Sequence, residues 1–98
     1  MAKIIKVDGT ITTIRPGDGK LFRLKELQGL VGGYVERVFV ANIQPTWLIF
    51  NEDGKALGLR RNEVATQAAL MDRAIFPDDY IVGDVILLAD GESELERD

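Results

Sequence analysis

The sequence predicts an α+β domain, with two helices packed on a mostly antiparallel sheet of about five strands in the order β-β-α-β-β-α-β. Three observations carry that prediction. The stretch Leu24–Glu36, LKELQGLVGGYVE, reads as a short amphipathic helix, a double-glycine stop and the opening of a strand. Four further runs of β-branched and aromatic residues are separated by turn clusters. A second helical segment at about 63–73 offers a face of small residues. With 98 residues, the chain can build one core but not two.

Lys3–Val7 and Thr10–Ile14 are β-favouring runs joined by Asp8-Gly9, a two-residue hairpin signal. Arg15-Pro16-Gly17-Asp18-Gly19 is a turn cluster that ends the hairpin. Leu24, Leu27 and Val31 recur at helical spacing, with Leu30 beside them, which predicts a helix over about 23–31. Its start is weakly specified, because Arg23 stands where a Ser, Thr or Asp cap would help by roughly 1 kcal/mol. Glu26 in the first turns suits the helix dipole. Gly32-Gly33 supplies the left-handed conformation that a helix end favours.

Tyr34–Ala41 is the next strand. Val35, Arg37 and Phe39 alternate with Tyr34, Glu36, Val38 and Val40, and a charge on each face marks an edge strand or a polar pocket wall. Gln44-Pro45 breaks the run, and Thr46–Asn51 resumes it. Asn51-Glu52-Asp53-Gly54 is a tight turn, with a short strand expected at Lys55–Leu59. Asn62 is a good cap for the second helix, whose Val64, Ala65, Ala68, Ala69 and Met71 can sit close to a sheet. Pro77-Asp78-Asp79 closes the segment. Tyr80–Ala89 contains the last strand, kinked at Gly83-Asp84. The organisation is one domain over 1–89 and a charged tail over 90–98, expected to fray.

Composition excludes several classes of function. The chain has no cysteine and no histidine, which removes disulfides, thiolate and serine–histidine nucleophiles, and cysteine- or histidine-ligated metal sites. The single serine, Ser93, lies in the charged tail. Catalysis would rest on carboxylates, lysine, tyrosine or threonine, and no enzyme is expected. No apolar run reaches membrane-spanning or signal-peptide length, so the expectation is a cytoplasmic protein without membrane contact. Residues 1–61 hold ten Lys/Arg against six Asp/Glu, and residues 62–98 hold two against ten, giving +4 and −8 and the overall −4. This asymmetry suits either an oligomer with self-complementary charge or a basic patch for an anion, while two ordinary solvated faces explain it equally well. Duplex nucleic acid is not an expected partner, since no dense basic cluster offsets the acidity.

The blocks LQGLVGGYVE at 27–36, NEDGKALGLRRNEVAT at 51–66 and YIVGDVILL at 80–88 resemble a family of small bacterial and bacteriophage proteins known as a domain of unknown function. The resemblance covers nearly the whole chain, and its LQ-x2-VGGY-x-E block is the most specific part. It implies a phage or prophage origin and no particular chemistry. Arg60 departs from the pattern, standing where family members often have proline, so a binding loop there would differ in specificity.

The best candidate site is Arg60-Arg61-Asn62. A helix N-terminus presents unpaired N–H groups that attract anions, and arginine forks match phosphate or carboxylate. Trp47, Tyr34 or Phe50 would stack on a base nearby, although a lone tryptophan is more often core. Glu36 and Asn51 complete the expected ligand-binding set. Glu36, Glu52 and Asp53 offer carboxylates for an acid/base pair or a magnesium ion, with a solvated turn the simpler account of Glu52-Asp53. No metal or cofactor is expected.

Three functions fit. The first is a non-catalytic phage protein that binds a nucleotide-like anionic small molecule and so sequesters a host defence signal. The second is an interaction module that docks on a host protein, and the third a carboxylate- or metal-dependent enzyme. The first fits best. A homo-oligomer is expected from the edge-strand character of 34–41 and the opposed charges.

Overall fold

The computed structural model describes residues 1–41 and 45–96; Gln44, placed above at a strand break, and the last two tail residues lie outside them. The strands are β1 (Lys3–Ile5), β2 (Ile11–Thr13), β3 (Val35–Val40), β4 (Thr46–Asn51) and β5 (Val85–Leu88), with helices α1 (Leu24–Val31) and α2 (Glu63–Met71). They form one antiparallel sheet of five strands in the order β2-β1-β5-β4-β3. The expected α+β architecture and element order are therefore observed. Among the described residues, no helix is long and apolar enough to cross a membrane.

The helices lie on opposite faces of the sheet. On one face Leu27 and Val31 of α1 pack with Ile4, Ile49, Ile86 and Leu88. On the other, Ala65 and Ala69 of α2 pack with Leu48, Phe50, Ile81 and Val85. Strand alternation explains the split, since successive β4 side chains point to opposite faces.

Local chemistry sets the joints. Gly32 takes the left-handed conformation (φ 83°) at the end of α1 and its N–H donates to the Gln28 carbonyl at 2.8 Å, as the double glycine predicts. The first hairpin turn is longer than Asp8-Gly9 alone. Gly9 N–H donates to the Lys6 carbonyl at 2.9 Å and Lys6 N–H to the Thr10 carbonyl at 2.8 Å. Val7 and Asp8 are thus the central turn residues, with Gly9 left-handed after them, the three-residue form of hairpin.

Two expectations are corrected. Lys55–Leu59 forms turns, not a strand. Leu57 N–H reaches the Asp53 carbonyl at 2.9 Å and Leu59 N–H the Gly54 carbonyl at 3.0 Å, so the segment satisfies itself locally. The tail expected to fray instead returns over the α1 face as far as Glu96. Phe22 N–H donates to the Glu92 carbonyl at 2.9 Å, Glu94 N–H to the Phe22 carbonyl at 3.1 Å, and Leu95 packs on the core. Asp90, Glu92 and Glu94 have partners. Glu94 Oε2 accepts from Leu24 N–H at 2.5 Å, supplying the N-terminal cap that Arg23 cannot. Asp90 Oδ1 accepts the Trp47 indole N–H at 3.0 Å, and Glu92 Oε1 accepts Ala89 N–H at 2.7 Å. Charge alone does not release a segment whose carboxylates meet backbone donors.

Candidate functional site

Residues 60–62 run antiparallel to 81–83. Arg61 forms a β-bridge with Val82, Asn62 N–H donates to the Ile81 carbonyl at 2.8 Å and Gly83 N–H to the Arg60 carbonyl at 2.7 Å. An extended segment points alternate side chains apart, and the two arginines diverge. On the Arg60 side, the Asp8 carboxyl is held below its ordinary range first by hydrogen bonds from Thr10 and then by the charges of Lys6 and Arg60. Arg61 turns the other way, pairing through Nε with Glu63 and standing 5.3 Å from the centre of the Tyr80 ring.

The Asn62 side chain is committed to the fold. It is fully buried, its Oδ1 accepts from Ala65 N–H at 3.1 Å, and its Nδ2 donates to the carbonyls of Ile5 and Gly83, each at 2.9 Å. It caps α2 as predicted and also fastens β1 and the 81–83 segment to it. Buried Thr66 completes the bracket, its hydroxyl accepting from Ile81 N–H at 2.9 Å and donating to the Ile81 carbonyl at 3.2 Å.

The turn after β4 delivers Lys55 to the same ring. A Cβ on Gly54 would lie 2.6 Å from Val82 Cγ2, so glycine lets this turn press against the 81–83 segment. Lys55 Nζ then stands 4.4 Å from the Tyr80 ring centre and pairs with Asp79. That hydrogen bond raises the ammonium pKa of Lys55 above its ordinary value. It also lowers that of the Asp79 carboxyl, which further accepts Tyr80 N–H at 2.7 Å. Two cations from separate loops thus converge on one aromatic ring within the range of cation–π attraction.

Below the ring lies a cavity of about 100 Å³ lined by Glu36, Val38, Phe50, Asn51, Glu52, Lys55, Ile75, Asp79, Tyr80, Ile81 and Val82. Glu36, Val38 and Asp79 also border a wider groove of about 770 Å³, walled by Leu70, Arg73, Ile75, Phe76 and Pro77. Glu36 and Glu52 therefore share a cavity, and Asp53 does not line it. Among the described residues, no group of three carboxylates, histidines or cysteines is arranged to hold a metal ion.

Of the other expected site residues, Asn51 also lines the small cavity, whereas Trp47 and Tyr34 lie elsewhere. Asn51 is buried beneath the double glycine. Its Nδ2 donates to the Val31 carbonyl at 3.1 Å, and its Oδ1 accepts Asp53 N–H at 2.8 Å. Its side chain is thereby committed to closing α1. Trp47 belongs to the α1 face, half-buried, with Phe39 at 4.9 Å and the Arg37 guanidinium at 5.0 Å. The sheet separates it from Arg61. Tyr34 is 68% exposed and lines neither cavity. Of the predicted set, Arg61, Glu36 and Asn51 are brought to the Tyr80 region, where Lys55, Asp79 and Tyr80 had not been expected. Their pairing across 24 residues has no local signature, and Pro77-Asp78-Asp79 reads as an ordinary turn.

A family described as a domain of unknown function (DUF3846) matches residues 2–97. No curated protein and no solved structure matches the chain.

Proposed function

The chain belongs to the DUF3846 domain family, and on that footing we propose that it is a non-catalytic binder of a nucleotide-like anionic small molecule. The observation that carries this reading is the convergence of Lys55 and Arg61 on Tyr80 above a small, partly acidic cavity. Both cations are held in place by half-exposed carboxylate pairs. Such pairs are each worth roughly 0–1 kcal/mol, so a phosphate carrying more charge displaces Asp79 and Glu63 at little cost. Glu36 and Glu52 then accept hydrogen bonds from a base or sugar. The small size and the family resemblance support a phage setting, in which such a protein sequesters a host defence signal.

Thermal-shift titration against linear and cyclic nucleotides tests the proposal. A ligand at about 100 times its Kd adds roughly 2.7 kcal/mol, several degrees for a domain of this size. The shift should vanish in Lys55→Ala/Arg61→Ala and survive in Arg60→Ala, because Arg60 faces away. No shift across the panel, with no retention in equilibrium dialysis, would overturn it.

A second reading, docking on a host protein, is favoured by Phe76, which walls the wider groove and is 79% exposed. A captured partner released by Phe76→Ser, but indifferent to Lys55→Ala/Arg61→Ala, would select it.

A further inference from the structure

We propose that β3 is a self-association edge, along which two copies of this chain pair antiparallel about Val38 to continue the sheet across a two-fold axis. This is independent of the anion site. β3 is the terminal strand of the sheet, and its pairing with β4 runs one-for-one from Val35↔Asn51 to Val40↔Thr46 with no bulge. Its sequence, VERVFV, contains neither proline nor lysine, two of the usual means of blunting an edge. The opposite edge, β2, has only three residues.

The outward side of β3 follows from the ladder. Glu52 N–H donates to the Tyr34 carbonyl at 2.8 Å, so Tyr34, Glu36, Val38 and Val40 turn their backbone groups toward β4. Val35, Arg37, Phe39 and Ala41 turn theirs outward. Asp72 Oδ2 accepts Ala41 N–H at 3.1 Å, which fixes where the outward edge closes.

Register is decided by the side chains. A two-fold axis perpendicular to the sheet keeps each face continuous, so a residue can oppose only one from the same face. Pairing about Arg37 sets two guanidinium groups opposite each other, and pairing about Glu36 sets two carboxylates. Pairing about Val38 opposes valine to valine on the α2 face and Arg37 to Phe39 on the α1 face, where Arg37 already lies over Trp47. Ala41 then falls opposite Val35 of the second copy with its N–H already held by Asp72, so the new ladder ends at the Arg37–Phe39 pairs.

Light scattering over a concentration series should report twice the 10.9 kDa chain mass. Facing residues of a non-hydrogen-bonded pair have Cα atoms about 4.5 Å apart, within disulfide reach. Val38→Cys, in a chain with no cysteine, should therefore cross-link under mild oxidation. Phe39→Lys places a lysine opposite each Arg37 and should raise the dimer dissociation constant about tenfold or more, with its circular dichroism unchanged. A 10.9 kDa species persisting at high concentration, with Val38→Cys uncrosslinked, overturns the proposal. So does a dimer that survives Phe39→Lys while Val38→Cys stays reduced.

Discussion

On the α1 face, leucine, valine and phenylalanine side chains fill the space between helix and sheet, and residues 89–96 return to seal the rim. On the α2 face, Ala65 and Ala69 pack with Leu48 and Phe50 of β4 and Val85 of β5, and a groove remains beside β3. The difference comes from side-chain volume. Large side chains fill the gap between helix and sheet, whereas alanines cover less of it. A face closed by bulk is a stabilising device, and a face covered by a small-residue helix keeps room for a ligand. The polar groups follow the same division. Asp90, Glu92 and Glu94 are spent on the fold, whereas Lys55, Asp79 and Arg61 pair at half-exposed positions where exchange is cheap.

The sharpest way to break this contrast is truncation on each face. Leu27→Ala, at a fully buried position, should cost about 3–4 kcal/mol in urea unfolding. Phe76→Ala on the open groove should stay within about 0.5 kcal/mol. Equal losses would mean the two faces are packed alike. Next in size is Asn62→Ala, which removes a cap and leaves two buried carbonyls without their donor. A loss of about 2–3 kcal/mol is expected, and a loss below that of an ordinary cap would show water replacing the amide.

How much of this was legible beforehand depends on the range of each interaction. The double-glycine stop, the Asn62 cap and the alternation that marks β3 as an edge are local signals, and all were readable. The cap on α1 was not, because Glu94 reaches Leu24 from 70 residues away. Nor was the second employment of Asn62, whose acceptors belong to residues 5 and 83. The arginine pair illustrates the converse. Adjacency suggested a joint clamp, yet extended backbone sends neighbouring side chains in opposite directions. A residue pattern shows what a side chain can do, and topology decides whom it meets.

Smaller effects sharpen the comparison further. Glu94→Ala should cost about 1 kcal/mol by removing the α1 cap. Hydrogen exchange should localise the loosening to Leu24–Leu27, and uniform loosening of the whole domain would contradict a capping role. Arg73 ends α2 at φ 57°, a conformation that costs a non-glycine residue about 1–2 kcal/mol. Arg73→Gly should therefore raise stability by about 1 kcal/mol, measurable as a higher urea midpoint. A lower midpoint would show that the guanidinium contributes more than the strain it imposes.

The smallest effect is the pH response of the Lys55–Asp79 pair. Asp79 lies below its ordinary 3.8, through Lys55 and then Tyr80 N–H, so its stabilisation is complete above that value. It is lost as pH falls through the depressed folded value. Lys55 lies above its ordinary 10.5, so its contribution is complete below that and lost as pH rises through the folded value. Between these limits the pair adds no slope. In Lys55→Met the Asp79 carboxyl, followed by carbon NMR, should titrate nearer 3.8; an unmoved carboxyl would remove Lys55 as the cause.

The central position of β5 has a consequence for biogenesis. Among the described residues β5 alone joins β1 to β4, yet it follows the other four strands in the chain. While the first eighty residues emerge from the ribosome, the β1–β2 and β3–β4 hairpins have no common partner, and neither has both faces covered. Both wait as separate half-sheets until Val85–Leu88 arrives, and only then can the sheet close. Folding is therefore a late event in translation, and a nascent chain stalled just before Val85 should remain sensitive to protease along its whole exposed length.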